Sequence, residues 1–421
     1  MKILWIVNTI FPAPSKALGL SAPVYGGWMY GLAEQVSKSI GIELAVATIY
    51  SGSEKKKMKI DGIEYFLLPC KNNIKYNSSL EQYWEQVCFQ FVPDVVHIHG
   101  TEYTHGLACM RKLPHLKYVV SIQGLLSVIA RYYYAGIPFW EVLKNITFRD
   151  LVKRDTLFHS KKMFQKRGLY EMEYLERTKH VIGRTNWDFT HTKAVNFKVK
   201  YHFCNESLRD GFYTATKWNI ENCESYTVFL SQAGYPIKGL HQVIKAIAIL
   251  KKDYPTLKIK IGGANITKSE TIKDKIKLTG YGKYINGLIK QYKLENHIVF
   301  LGTLSEEQMI MEYKKAHVFI CPSSIENSPN SLGEAQLLGV PTIAAYVGGV
   351  PNMIEEGKTG FMYRFEEVEM LALAIDKIFS MSKNDLVRLS ENERIVASSR
   401  HDRNEITQEM IKIYNKMLPS R

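Results

Sequence analysis

VFICPSSIENSPNSLGEAQLLGVPTIAA, residues 318–345, reads as strand, loop, helix and strand in succession. The apolar run at 318–321 has the length of a buried strand. Pro322-Ser323-Ser324 ends it, and Glu326 and Asn327 fall in the loop that follows. Ser328 then offers an N-cap with Pro329 at the first helical position, where proline's missing N–H costs nothing. The helix runs through Leu338 and stops at Gly339, with Pro341 beyond it and a second aliphatic strand at 342–345. A helical crossover of this kind joins parallel strands.

The same alternation fills the chain. Short aliphatic runs at 2–7, 44–50, 95–99, 118–122 and 180–183 form one series, and runs at 227–231, 257–261, 298–301, 318–321 and 342–345 form a second. Strands separated by helices build parallel sheets covered on both faces. At 421 residues the chain exceeds what one core supports. The expected fold is therefore α/β, with two tandem Rossmann-like doubly wound domains facing a central cleft. The boundaries read 1–205 for the first domain, 206–225 for a polar linker, 226–395 for the second, and 396–421 for a helix returning to the first.

Hydrophobic residues at 46% and charged ones at 23% exclude a fibrous or disordered chain. Six cysteines are scattered without zinc-like pairs or a disulfide framework, as fits a reducing cytosol. The opening MKILWIVNTIFPAP reads as a first buried strand rather than a signal peptide, because polar turn residues follow at once. No run approaches the roughly 20 apolar residues of a membrane span. The expected location is cytoplasmic, peripheral at most to the cytoplasmic face of the inner membrane. A net charge of +14 calls for an acidic partner. Nucleic acid is set aside, because no helix-turn-helix, RNP-like or zinc-finger pattern is present. The stretch 144–167 sets Lys144, Arg149, Lys153, Arg154, Lys161, Lys162, Lys166 and Arg167 among Phe148, Leu151, Leu157, Phe158, Met163 and Phe164. That is the pattern of a basic amphipathic helix lying on an anionic membrane, although such a run is more often a solvated face.

Ligands of doubly wound sheets lie beyond the carboxyl ends of the strands. The helix after Pro329 would present the N–H groups of Asn330, Ser331 and Leu332 and its positive dipole end to an anion such as a diphosphate. Glu326 in the loop and Glu334 in the helix can accept hydrogen bonds from hydroxyl pairs on either side of it. Singly, each reads more blandly, as a solvated loop residue and as a complement to the dipole. Lys238, beside Gly239 at the end of the 227–231 strand, can offset charge growing on a phosphate. In the first domain, Gly26 and Gly27 permit close approach of backbone to ligand. His97 and His99 share one face of a strand, yet two histidines without further ligands make no metal site. Gln123 follows the 118–122 strand and can bond a hydroxyl but cannot titrate. Arg184 ends the 180–183 strand, with Asn205 and Glu206 shortly after.

Glu326, Pro329, Asn330, Glu334, Ala335, Gly339-Val340-Pro341 and Gly348-Gly349 together resemble the donor-site signature of GT-B glycosyltransferases of family 4, the group 1 glycosyl transferases, in particular their capsule and lipopolysaccharide types. The resemblance covers most of the second half of the chain. It implies that Glu326 contacts the transferred sugar, that Asn327, Asn330, Ser331 and Leu332 hold the diphosphate through backbone N–H groups, and that Glu334 holds the ribose. Gly302 and Leu304 would meet the base, and Lys238 the diphosphate. The family usually adds an arginine where this chain has Gln232, and many relatives carry histidine where Gln123 stands. Gly26, Gly27, His99, Gln123 and Arg184 would lie on the acceptor side. The resemblance further implies retention of anomeric configuration, no metal, and no cofactor beyond the nucleotide-sugar co-substrate. The sugar would pass to a glycan or lipid-linked acceptor in bacterial surface polysaccharide synthesis. Two alternatives stay open: a catalytically silent sugar-nucleotide-binding scaffold subunit, raised by Gln232 and Gln123, and a nucleotide-sugar epimerase on the same fold.

Overall fold

The computed structural model describes residues 1–20, 27–71 and 74–418, and the chain forms two compact units. The first comprises Met1–Val128, Phe164–Asp210 and His401–Arg421. Its sheet is built from β1 (Lys2–Ile6), β2 (Glu43–Tyr50), β3 (Lys56–Ile60), β4 (Ile63–Pro69), β5 (Val95–His99), β6 (Tyr118–Ser121), β7 (His180–Gly183) and β8 (Lys200–Phe203). The order is β3-β4-β2-β1-β5-β6-β7-β8. Every pairing is parallel except β3 with β4. That hairpin turns on Asp61 and Gly62, both at positive φ (51° and 83°), the two-residue turn whose twist matches the strands. The central strands are buried on both faces, which is why Ile3, Leu4, Trp5 and Ile6 run without a polar break.

The helix Arg403–Met417 packs into this first core through Ile406, Met410, Ile413 and Tyr414. Trp5 Nε1 donates to the Tyr414 hydroxyl at 2.9 Å, and that hydroxyl meets His97 Nδ1 at 2.6 Å. His97 Nε2 lies 2.6 Å from Ser121 Oγ. His97 is thus a fully satisfied core residue.

The second unit comprises Ile129–Met163 and Gly211–Arg400. Its strands are β9 (Thr227–Leu230), β10 (Lys258–Ile261), β11 (Ile298–Phe300), β12 (Val318–Cys321), β13 (Thr342–Ala345) and β14 (Phe361–Tyr363). The order β11-β10-β9-β12-β13-β14, all parallel, is the 3-2-1-4-5-6 winding of a dinucleotide-type sheet.

Residues 129–163 depart from a first domain running unbroken to 205. They are held in the second unit by hydrogen bonds no local pattern announces. His241 Nε2 meets the Ala135 carbonyl at 2.8 Å, Ser324 Oγ donates to the Tyr132 carbonyl at 3.3 Å, and the Gly280 N–H donates to Asp150 at 2.8 Å. Nor is 144–167 one helix. The chain forms helices Phe139–Lys144, Phe148–Lys153 and Leu157–Arg177. Thr147 restarts it through a capping box with Asp150, and Arg154, left-handed at φ 54°, ends the middle piece. Among the described residues no helix is long and apolar enough to cross a membrane.

Candidate functional site

In the second sheet the winding reverses between β9 and β12, so the loops leaving those two strands flank the crevice where ligands of such sheets sit. After β9 the chain runs to a single turn of 3₁₀ helix, Pro236–Lys238, closed by Gly239 at φ 70°. A Cβ on Gly239 would lie 1.7 Å from the Pro322 carbonyl oxygen. Only glycine lets the loop after β9 rest on the loop after β12. The Ser324 N–H completes that seam by donating to the Ile237 carbonyl at 2.8 Å.

This contact delivers Lys238 to Glu326. The ammonium donates to the carboxylate at 2.5 Å, and the Ser323 hydroxyl donates to the same oxygen at 2.7 Å. Glu326 is fixed from behind as well. Its carbonyl accepts from the Gly349 N–H at 3.0 Å, and a Cβ on Gly348 would approach it to 1.9 Å. Burial works against the Lys238 charge, but Glu326 beside it outweighs burial and raises the ammonium above the ordinary lysine range. Burial, with the Glu326 charge, pushes the neighbouring Cys321 up to about 12, so it stays a thiol. Ser231, Gln232, Lys238, Ser323, Glu326 and Ser331 line one pocket here.

The helix beside it spans Asn330–Leu338, one residue later than its expected start, with Pro329 in extended backbone as the cap residue. The Pro329 carbonyl therefore takes the first helical bonds, from Leu332 N–H at 3.0 Å and Gly333 N–H at 3.2 Å. Leu332, expected to offer its N–H to an anion, has spent it. Glu334 and Asn327 are buried. Gly339 ends the helix at φ 81°, as its position requires.

Gly302 (φ 75°) lies beyond β11, and its carbonyl accepts from the Gly263 N–H at 2.8 Å. A Cβ on Gly262 would come within 2.7 Å of the Ser231 carbonyl oxygen and 3.6 Å of the Leu304 side chain. Gly302 and Leu304 thus gather with Gly262 and Gly263 at the same sheet end as Ser231. The Gly262-Gly263 pair carries no reading in the sequence, where two glycines at the exit of a strand are its only signal, and Ser323 reads there only as part of the turn that ends its strand.

In the first unit the residues read as acceptor-side fare unevenly. Gly26 lies outside the described residues. Gly27 opens the helix Gly27–Ser37, and a Cβ there would meet Arg209 only at an ordinary 3.6 Å, so crowding does not demand glycine. Arg184 is committed within its own unit. It pairs with Glu206 and donates to the Ile122 and Gln123 carbonyls at 3.0 and 3.1 Å. His99 is buried between His97, stacked at 3.7 Å, and Trp5 at 4.3 Å. Burial pushes it down to about 3, and among the described residues neither ring nitrogen has a hydrogen-bond partner. It lines a small cavity with Trp28, Ser121, Arg184, Asn205 and Glu206. Glu102, given no role in the sequence reading, sits at the β1/β5 reversal, where it accepts from Asn8 Nδ2 at 3.2 Å and Gly124 N–H at 3.3 Å. Among the described residues no three His, Cys, Asp or Glu side chains converge as a metal site.

Comparison with known proteins gives this geometry a context. Residues 215–396 match the family model described as Glycosyl transferases group 1. The chain is similar to spore coat protein SA of Bacillus subtilis, 26% identical over 43% of this chain and 46% of that protein. It is also similar to the sulfoquinovosyl transferase SQD2 of Arabidopsis thaliana, 34% identical over 27% of this chain and 24% of that protein. The chain thus spans less than half the length of these curated relatives. Among solved structures, it resembles sucrose-phosphate synthase from Thermosynechococcus elongatus, with a TM-score of 0.71, 17% identity and 99% of each chain covered. It likewise resembles Anabaena HepE in complex with UDP and glucose, with a TM-score of 0.66, 15% identity and 99% of each chain covered. These likenesses show the fold: two parallel-sheet α/β units of the GT-B type.

Proposed function

We propose that this protein is a retaining glycosyltransferase that takes a sugar from a nucleoside-diphosphate donor bound by its second unit. The observation that carries the reading is the Lys238–Glu326 pair at the winding reversal, within one pocket with Ser331 in the first turn of the Asn330–Leu338 helix. A cation and a helix N-terminus converging on one point suit a diphosphate leaving group. The family-model match over 215–396 and the solved complex of HepE with UDP support the donor class.

In this reading donor binding exchanges part of the Lys238–Glu326 ion pair for new contacts. Lys238 and the N–H groups of Asn330 and Ser331 hold the diphosphate as it departs. Glu326 turns to sugar hydroxyls, steadied by Ser323, and Glu334 holds the ribose. Gly302, Leu304, Gly262 and Gly263 meet the base. Gln232 adds a neutral hydrogen-bonding group where the family pattern has a second cation, which places more of the charge stabilisation on Lys238. Catalysis is then positioning and electrostatics, a phosphate oxygen of the leaving group accepts the acceptor's proton, and no metal takes part. The acceptor is a glycan or lipid-linked glycan of a bacterial surface polysaccharide pathway. Gln123 and Arg184, just past the carboxyl ends of β6 and β7, and Gly27 at the start of the helix Gly27–Ser37 are assigned to its side.

The test is a thermal-shift and hydrolysis screen against UDP-, GDP-, ADP- and dTDP-sugars, with and without a chelator. Selective stabilisation by one nucleotide, slow donor hydrolysis, and loss of both in Lys238→Ala and Glu334→Ala are expected. Nucleotide binding without hydrolysis or transfer to any acceptor moves the scaffold reading forward. Return of an altered donor would instead identify an epimerase.

A further inference from the structure

Three short helices of the second unit, Phe139–Lys144, Phe148–Lys153 and Ile272–Lys277, carry an arrangement the transfer reaction does not use. The helix Phe148–Lys153 is packed inside out. Its acidic residue, Asp150, is buried and bonded to Thr147 N–H and Gly280 N–H, while its three large apolar side chains face solvent. The helix Ile272–Lys277 packs alongside it and buries no residue. Phe148, Leu151 and Val152 are 80%, 60% and 62% exposed, and Ile272 and Ile276 are 79% and 63% exposed. Within each helix these residues are three or four apart or adjacent, so each set shares one face. Trp140, 76% exposed and in ring contact with Phe139, lies one short helix upstream. Scattered exposed apolar residues are ordinary, but two adjoining helices that turn theirs outward are not.

Cations surround them. Lys153, Arg154, Lys273, Lys275 and Lys277 are exposed. Among the described residues, Lys153, Lys273 and Lys275 stand outside every ion pair. Lysine is depleted at protein–protein interfaces and favoured at lipid headgroups, where its stem lies along apolar surface and its charge meets phosphate. We infer that the adjoining helices Phe148–Lys153 and Ile272–Lys277 form an interfacial docking face for an anionic phospholipid bilayer, with Phe148, Leu151, Val152, Ile272 and Ile276 entering the headgroup–acyl boundary. The face belongs to the second unit and works by apolar insertion aided by charge. It therefore differs from a single basic helix over 144–167.

The full chain is to be sedimented with vesicles of phosphatidylcholine alone and of equal parts phosphatidylcholine and phosphatidylglycerol. Binding to the mixed vesicles alone is expected, reduced about tenfold by the double variant Phe148→Ser/Ile272→Ser and similarly by Lys153→Glu/Lys275→Glu. Circular dichroism melting checks that both variants fold, and a donor-induced thermal shift retained in both separates this result from the fate of the transferase reading. Absence of vesicle binding overturns the proposal, as does equal binding to both vesicle types or wild-type binding by the serine variant. A wild-type dimer that the serine variant dissociates overturns it too, by assigning the face to a second copy of the chain.

Discussion

Gly239 decides where the Lys238 ammonium stands. Its left-handed backbone and the 1.7 Å approach of Pro322 leave no room for a side chain. Gly239→Ala is expected to cost about 2–4 kcal/mol in urea unfolding and to abolish the donor-induced thermal shift. Lys238→Ala acts differently. It strands the largely buried Glu326 with Ser323 as its remaining side-chain donor, so we expect a loss of about 1–3 kcal/mol in stability. Its loss in turnover, measured as donor hydrolysis, should be about 10²–10³-fold. The places of Lys238, Glu326 and Glu334 in the fold were legible because each has a fixed offset from a strand end or a helix start. Leu332 reads as an open donor in the sequence, yet a cap at Ser328 would turn its N–H back four residues, and with the cap at Pro329 it turns back three, so neither start leaves it open. The commitment of Arg184 to Glu206 was hidden for another reason: the two are 22 positions apart and meet only once β7 and the segment after β8 are side by side.

At the scale of elements, Asp150 joins two parts of the chain. It closes the capping box with Thr147 and accepts from the Gly280 N–H at the start of the helix Gly280–Gln291. Asp150→Ala is expected to cost about 2 kcal/mol or more, because it removes a cap and leaves a partly buried N–H unbonded. Limited proteolysis should then cut first between 144 and 157. Intact fragments at wild-type rates would show that the box is not what holds this segment. The T-x-x-D spacing of that box was present in the sequence, but the basic periodicity running across it masked the break. The β3–β4 hairpin was similarly within reach. Asp61-Gly62 between alternating residues is a strong turn signal, but a strand carrying three lysines in five residues has no aliphatic run to mark it. They are there because β3 is an edge strand, where charge discourages further pairing.

Across the whole molecule, buried titratable groups set the response to acid. Burial lowers His99 to about 3, His105 to about 4, His241 to about 3 and His317 to about 4, from an ordinary 6.5. Such groups favour the fold above pH 6.5, and that contribution is lost as pH falls towards their folded values, because the unfolded chain takes up protons the folded chain refuses. Burial acts oppositely on Glu171, pushed up to about 7, and on Glu102 and Glu393. His97, His180 and His202 are also lowered, so the histidines outnumber the carboxyls. The melting temperature should therefore fall steadily from pH 6.5 to 4.5, and a flat or rising profile would refute this balance. The two-sheet architecture was legible from strand periodicity alone. The allocation of 129–163 was not, since it rests on bonds such as His241 to Ala135 that join positions 106 apart. The chain passes between its units four times, and Trp5 waits for a partner 409 residues later. On a ribosome adding about 5–20 residues per second, the first strand emerges roughly 20–80 seconds before Tyr414. The nascent first sheet thus spends the synthesis of residues 211–400 with the apolar face that meets Ile406, Met410, Ile413 and Tyr414 uncovered, so the order of synthesis leaves this core to be closed by a segment made long after its strands.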